Sequence, residues 1–146
     1  MHEIHCQVLV IGGGAAAMRA AMAAHDAGAT TLLVSKQTPG YSGNSVIARS
    51  GHSAPFGTEA LPDTPELFVA DTLKAGEYVN HQPIVHALAS EACARIEELV
   101  AWGAPFLTQN GRLETQPSAG HQRPRGCYTV KNIATEVARP VRRQVD

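Results

Sequence analysis

The chain has 146 residues, 44% of them hydrophobic and 17% charged, with a formal net charge of -1. That length suits one domain of ordinary size, and the composition supports a packed core and excludes a disordered tail. The near-neutral balance gives no electrostatic reason to expect nucleic acid or an anionic membrane as a partner.

Residues Cys6 to Ile11 are short, rich in β-branched side chains and bounded by Gly12, the pattern of a buried parallel strand. Ala15 to Ala27 is alanine-dense, with Gly28 placed as a C-cap, and reads as a helix. Thr30 to Ser35 is a second apolar strand, so the opening segment is a right-handed βαβ unit with parallel strands. From Lys36 to Pro62, glycine and proline punctuation leaves no period, and a loop of this length inside a compact domain is usually functional or disordered. A helix is predicted from about Pro65, capped by Asp63 or Thr64, to near Gly76. A second runs from about Pro83 to Trp102, with Ile84, Leu88, Ala92, Ile96, Leu99 and Val100 as its apolar stripe. Asn110-Gly111 between Pro105–Thr108 and Arg112–Thr115 predicts a hairpin. Gln116 to Gly126 reads as loop, and Val130 to Arg139 as a last helix broken by Pro140. Arg139, Arg142 and Arg143 read as a solvated, dipole-favoured helix end.

Cys6, Cys93 and Cys127 contain no CxxC pair, so neither a disulfide framework nor a metal or iron–sulfur site is indicated, and a reducing, cytoplasmic setting is expected. The apolar start is interrupted by three glycines and followed by Arg19, which argues against a signal peptide or a spanning helix.

The chemistry concentrates in the glycine turn. Gly12, Gly14 and Ala17 form G-x-G-x-x-A at the junction of strand and helix. Gly12 permits the tight turn, Gly14 lets backbone approach a pyrophosphate, and Ala17 keeps the helix close to the strand. The anion then meets unpaired N–H groups at the positive end of the helix dipole. An NAD-reading unit would carry an acid at the end of the second strand, yet Ser35 and Lys36 stand there. Ser35 suits a ribose hydroxyl and Lys36 a 2′-phosphate, so these residues by themselves leave FAD and NADPH both open.

The ordered set Gly12–Ala17, Ser35-Lys36, Ser42–Gly51, Asp71–Gly76, Glu97–Phe106, Asn110-Gly111-Arg112 and Gly120–Arg125 resembles the flavoprotein subunits of fumarate reductase and succinate dehydrogenase. L-aspartate oxidase and adenylylsulfate reductase belong to the same superfamily. The resemblance covers nearly the whole chain and implies an α/β, Rossmann-like FAD-binding domain, a doubly wound parallel sheet with a helical insertion, over residues 1–146. Residues 1–146 would be the N-terminal portion of that domain, without the capping domain and the C-terminal return segment. The resemblance implies FAD on the turn Gly12, Gly13, Gly14, Ala15, Ala16 and Ala17, with Ser35 and Lys36 at the adenosine ribose. The loop residues Gly43, Asn44, Ser45, Val46, Ala48, Ser50 and Gly51 would wrap the ribityl chain and flavin.

One departure carries information. Respiratory members bear a histidine in this loop that bonds covalently to the flavin, whereas the matching residue here is Asn44, whose amide nitrogen is too weak a nucleophile. The expectation is noncovalent FAD. His52 reads as a polar loop residue. His121, Arg123 and Arg125 could face an anion or pair with carboxylates of the chain itself. Members of the family are several times longer and carry their substrate-binding residues in a capping domain, and no position here matches those. No catalytic residue is therefore assigned. The resemblance implies a companion polypeptide that completes the flavin site and an iron–sulfur electron-transfer subunit. The remaining alternatives are an NADPH-binding domain and a non-catalytic interaction subunit.

Overall fold

The computed structural model describes residues 3–41, 43–48, 51–131 and 133–144. The chain forms two compact units, Met1–Arg49 with Lys131–Asp146, and Ser50–Val130.

The first unit is built on β1 (Val8–Ile11), α1 (Ala15–Asp26) and β2 (Thr31–Val34). The strands pair in parallel, Val8 opposite Thr31 through Ile11 opposite Val34. Parallel pairing is forced by the connection, because a helix crossing over returns the chain in its original direction. Ala27 and Gly28 end α1, and Gly28 takes φ +83° while its amide donates to the His25 carbonyl at 2.8 Å. Met18, Ala21 and Met22 of α1 are buried, with Met18 fully enclosed. The β1 strand is not buried on both sides as its composition predicts. Leu9 and Ile11 are 54% and 81% exposed, and Val34 is also exposed, because only one face of this two-stranded sheet is covered by the unit's helix.

The unit is completed by α4 (Ile133–Arg143), which packs against α1. Pro140 does not end this helix, contrary to the sequence expectation; it lies inside it. A proline within a helix removes one hydrogen bond and costs about 3 kcal/mol. Here Val137, Ala138, Pro140 and Val141 are all buried, so packing of that face offsets the loss. The Arg142 guanidinium lies 4.5 Å from the centroid of the Tyr41 ring, so this arginine is engaged and not merely solvated.

The second unit contains β3 (His52–Ser53), α2 (Pro65–Ala75), α3 (Gln82–Ala101), β4 (Thr108–Gln109), β5 (Arg112–Leu113) and β6 (Gly126–Cys127). Asn110 and Gly111 both take positive φ, 53° and 76°, the signature of the tight turn that matches strand twist, and β4 pairs with β5 as expected. The inward face of α3 is Val85, Ala89, Ala92 and Ile96, one position along from much of the predicted stripe. Ile84 and Leu88 are 63% and 51% exposed. The helix carries two overlapping apolar rows, and the row holding Ala89 is the buried one. The short antiparallel pair β3–β6, with His52 opposite Cys127 and Ser53 opposite Gly126, lies in segments that read as loop.

Helix α2 starts as its sequence dictates. Thr64 Oγ1 accepts from the Leu67 amide at 3.3 Å, Pro65 occupies the first turn, and Asp63 Oδ1 accepts from the Thr64 amide at 2.9 Å. Replacing Thr64→Ala should lower the stability of the protein by about 1 kcal/mol, the usual contribution of such a cap. Urea unfolding followed by circular dichroism measures this, and an unchanged midpoint would show the cap to be dispensable.

Candidate cofactor-binding site

The turn after β1 is shaped by backbone geometry that only glycine tolerates. The Gly12 amide donates to the Val34 carbonyl at 2.8 Å, extending the ladder, and its φ is +138°. That conformation is open to glycine and strained for any residue with a Cβ. The Gly13 carbonyl accepts from the Gly40 amide at 2.8 Å, and a Cβ on Gly13 would lie 3.1 Å from the Ser35 Cβ. Ser35 and Gly40 therefore close around the turn.

Gly14 is the N-cap of α1 and offers no side-chain acceptor, and the first turn of the helix contains no acidic residue. The initial amides of a helix have no partner within it. Here Met18 donates to the Gly14 carbonyl at 3.0 Å and opens the helical ladder. Ala15 donates to Ser45 Oγ at 3.1 Å. Among the described residues no protein acceptor faces the amides of Gly13, Gly14, Ala16 and Ala17. Several N–H groups thus converge on one helix start with its partial positive charge, and no carboxylate of the helix competes for them.

The loop after β2 supplies one further group. Gly43 takes φ +79° and leads into one tight helical turn, Asn44–Val46, which places the Ser45 hydroxyl over the start of α1. A Cβ on Gly14 would lie 3.1 Å from Ser45 Oγ. The hydroxyl accepts from Ala15 and keeps its own proton to donate, so it suits a phosphate oxygen approaching the same point. Ser35 Oγ donates to the Gln37 carbonyl and retains lone pairs to accept. Lys36, Gly43, Asn44 and Ala48 are exposed, and Val46 is half-buried. Ser42, Arg49 and Ser50 lie outside the described residues. Gly51 belongs to the second unit, where a Cβ would lie 2.6 Å from the Cys127 carbonyl oxygen and 2.9 Å from the Tyr128 ring. Within the first unit, then, Gly12–Ala17, Ser35 and Ser45 come together around one helix end, and Gly40 joins them without having been singled out in the sequence.

Arg125 resolves the question left open for the arginine loop. It is fully buried, and its Nε and Nη2 donate to the two Asp63 carboxylate oxygens at 2.6 and 2.8 Å. Nη1 donates to Asp71 Oδ2 at 2.6 Å and contacts His121 Nδ1 at 2.9 Å. Pairing with the chain's own carboxylates is what the structure shows. Burial alone would raise the Asp71 carboxyl, but the Gln122 amide and the Arg125 guanidinium hold it below the usual carboxylate range. Burial lowers the basicity of His121, and the adjacent Arg125 charge lowers it further against the opposing pull of Asp71 and Asp63. Burial pushes the Cys127 thiol up to about 11, which makes it unreactive.

The described residues contain no grouping of His, Cys, Asp and Glu suited to a metal ion, and none of their helices is long and apolar enough to cross a membrane.

Residues 7–145 match the family described as the FAD binding domain. The chain is 32% identical over 141 residues to one of the subunits of the fumarate reductase (CoM/CoB) of Methanothermobacter marburgensis, covering 96% of this chain and 26% of that protein. It is 32% identical over 126 residues to the L-aspartate oxidase of Mesorhizobium japonicum, covering 86% and 24% respectively. The structure of Mycobacterium smegmatis Sdh1 in complex with UQ1 matches with a TM-score of 0.88 at 28% identity, over 95% of this chain and 23% of that one. The chain spans about a quarter of the length of these relatives. These matches decide between the two dinucleotides that Ser35 and Lys36 left open, in favour of FAD. A βαβ turn with bare amides at a helix start, and a match running over nearly every residue, place the chain in the FAD binding domain family, as the FAD-binding domain of a fumarate reductase/succinate dehydrogenase-like flavoprotein.

Proposed function

We propose that this chain holds FAD noncovalently for an oxidoreductase of the fumarate reductase type, with residues 1–146 forming the N-terminal portion of the FAD-binding domain. The observation that carries this reading is the set of unpartnered amides at Gly13, Gly14, Ala16 and Ala17, beside the Ser45 hydroxyl. A diphosphate seated there would accept from backbone N–H groups and from Ser45, and would need no arginine or lysine for charge balance. Ser35 and Lys36, at the end of β2, are assigned to the adenosine ribose region. Gly43, Asn44, Ser45, Val46, Ala48, Ser50 and Gly51 are assigned to the ribityl and flavin portion.

Bound FAD would supply two-electron redox chemistry, exchanging a hydride with a substrate carbon. The chain's own part is binding and orientation. None of these assigned residues is proposed to handle a substrate proton, so dicarboxylate recognition belongs to polypeptide beyond these residues. The proposed partners are segments that complete the flavin site and an iron–sulfur protein that transfers electrons. Placement in the cytoplasm is proposed from the cysteine usage alone.

Asn44 supports the noncovalent assignment, since a carboxamide nitrogen is not nucleophilic enough to bond to the flavin ring. Acid precipitation of the yellow protein should leave the flavin colour in the supernatant, and a coloured pellet would overturn this point. Gly14→Val should weaken FAD binding by roughly a hundredfold, because it displaces Ser45 and blocks amides whose charge-assisted hydrogen bonds contribute about 1.5–3 kcal/mol each. Fluorescence quenching on titration with FAD measures it, and an unchanged dissociation constant would remove the basis of the reading. A wild-type protein that does not bind FAD would leave the fold with a purely structural or assembly role.

A further inference from the structure

We propose that Arg142 is a positioning residue for the cofactor turn. By stacking on Tyr41 it seats the bend 38–41, whose Gly40 amide fixes the peptide between Gly13 and Gly14 and so aims the Gly14 N–H. This inference rests on the reading of that turn as the FAD site, and every link in it lies within the first unit.

The bend follows from its sequence, Thr38-Pro39-Gly40-Tyr41. Proline presets the first central position, and Gly40 takes φ +77° at the second, the conformation that a type II turn reserves for glycine. The Tyr41 amide closes the bend by donating to the Thr38 carbonyl at 3.2 Å. The Gly40 amide is not used by the bend itself and donates to the Gly13 carbonyl at 2.8 Å. Pro39 rests against the same glycine, since a Cβ on Gly13 would lie 3.4 Å from the Pro39 Cα.

A trans peptide is planar, so its C=O and N–H point in opposite directions. Holding the Gly13 carbonyl therefore sets the direction of the Gly14 N–H, one of the amides that no protein acceptor faces among the described residues. A peptide with glycine on both sides resists rotation least, because neither residue has a Cβ to restrict it. This peptide accordingly needs an anchor from outside the turn, and the Gly40 amide is that anchor.

The bend is held in its turn from the last helix. The Arg142 guanidinium lies 4.5 Å from the centroid of the Tyr41 ring, and its stem faces Gly40. A Cβ on Gly40 would lie 3.4 Å from Arg142 Cβ, 3.5 Å from Arg142 Cδ and 3.5 Å from Met18 Sδ. Met18 is fully buried in α1, and Val137, Ala138 and Val141 are buried in α4, so both neighbours of Gly40 stand on packed helices. The Tyr41 ring is 61% exposed, and the planar guanidinium stacked on it ties that ring to α4. A lysine ammonium is a point charge with no flat face to offer the ring.

The test uses the whole chain, isotope-labelled for NMR, as wild type, Arg142→Met, Tyr41→Leu, the double variant and Tyr41→Phe. Methionine keeps an apolar stem and removes the cation, whereas leucine at position 41 keeps the cation and removes the ring. Each of these two changes should raise the FAD dissociation constant roughly threefold, the equivalent of a cation–π contact at a partly exposed site. The double variant should bind no more weakly than either alone, and Tyr41→Phe, which retains the ring, should bind as wild type does. In the protein without FAD, the Gly40 amide proton should move upfield in Arg142→Met and in Tyr41→Leu as its bond to Gly13 lengthens. The Gly12 amide, bonded to Val34 in the ladder, should stay where it is. Equal movement of both amides would reduce Arg142 to general packing and overturn the proposal. A Gly40 resonance unmoved in both variants would overturn it too. So would a loss of affinity in Arg142→Met that Tyr41→Leu does not share, because the arginine would then act on the anion as a plain charge. If wild type does not bind FAD, the cofactor reading fails by itself, while the Gly40 resonance still decides whether Arg142 seats the bend.

Discussion

The protein depends on a set of backbone amides left without partners at the start of one helix. Strand, turn and helix are arranged so that Gly12 continues the ladder to Val34 while Gly13, Gly14, Ala16 and Ala17 are left with their donors exposed. Helix-start amides have no acceptor within the helix, and here, half-exposed or exposed, they are free to meet an anion. The absence of any acidic residue in the first turn keeps the positive end of the helix available. What this turn offers an anion is thus main-chain donors flanked by small side chains.

The second unit manages charge in the opposite way. Two aspartates and one arginine are removed from water together, and the local sum is one negative charge. Such a cluster contributes little net stability compared with an apolar core of the same volume, but losing one partner is costly. The bidentate contact to Asp63, the contact to Asp71 and the acceptor on His121 tie the residue that precedes β6 to α2 and to the segment before it. Strands of two residues would not hold their register by ladder hydrogen bonds alone.

What could be read from the sequence follows the range of the forces involved. The βαβ unit, the caps of α2 and the Asn110-Gly111 hairpin depend on neighbours a few residues away, and all were legible. The β3–β6 pair was not, because its partners lie more than seventy residues apart and each strand is only two residues long. The stripe on α3 differs because Ile84 and Leu88 satisfy a helical period as well as Val85 and Ala89 do, and periodicity alone does not say which row is buried. The local penalty of Pro140 predicts a stop, and the burial of Val137 and Val141 that offsets it exists only in the folded chain. In the site, the glycine turn was legible from its spacing. The placement of Ser45 over Ala15 depends on how the loop folds back, and that depends on Gly43 and on packing that only the folded chain displays.

The two kinds of glycine in this chain carry different information about the past of the protein. Gly51 is confined by fixed main-chain and ring atoms, whereas a side chain at Gly14 would meet only a rotatable hydroxyl. A descendant that abandoned its cofactor would remain bound to glycine at the former position by packing, yet would be released to drift at the latter. Erosion of Gly14 beside an intact Gly51 is therefore the mark by which a relic of this fold could be told from a working one.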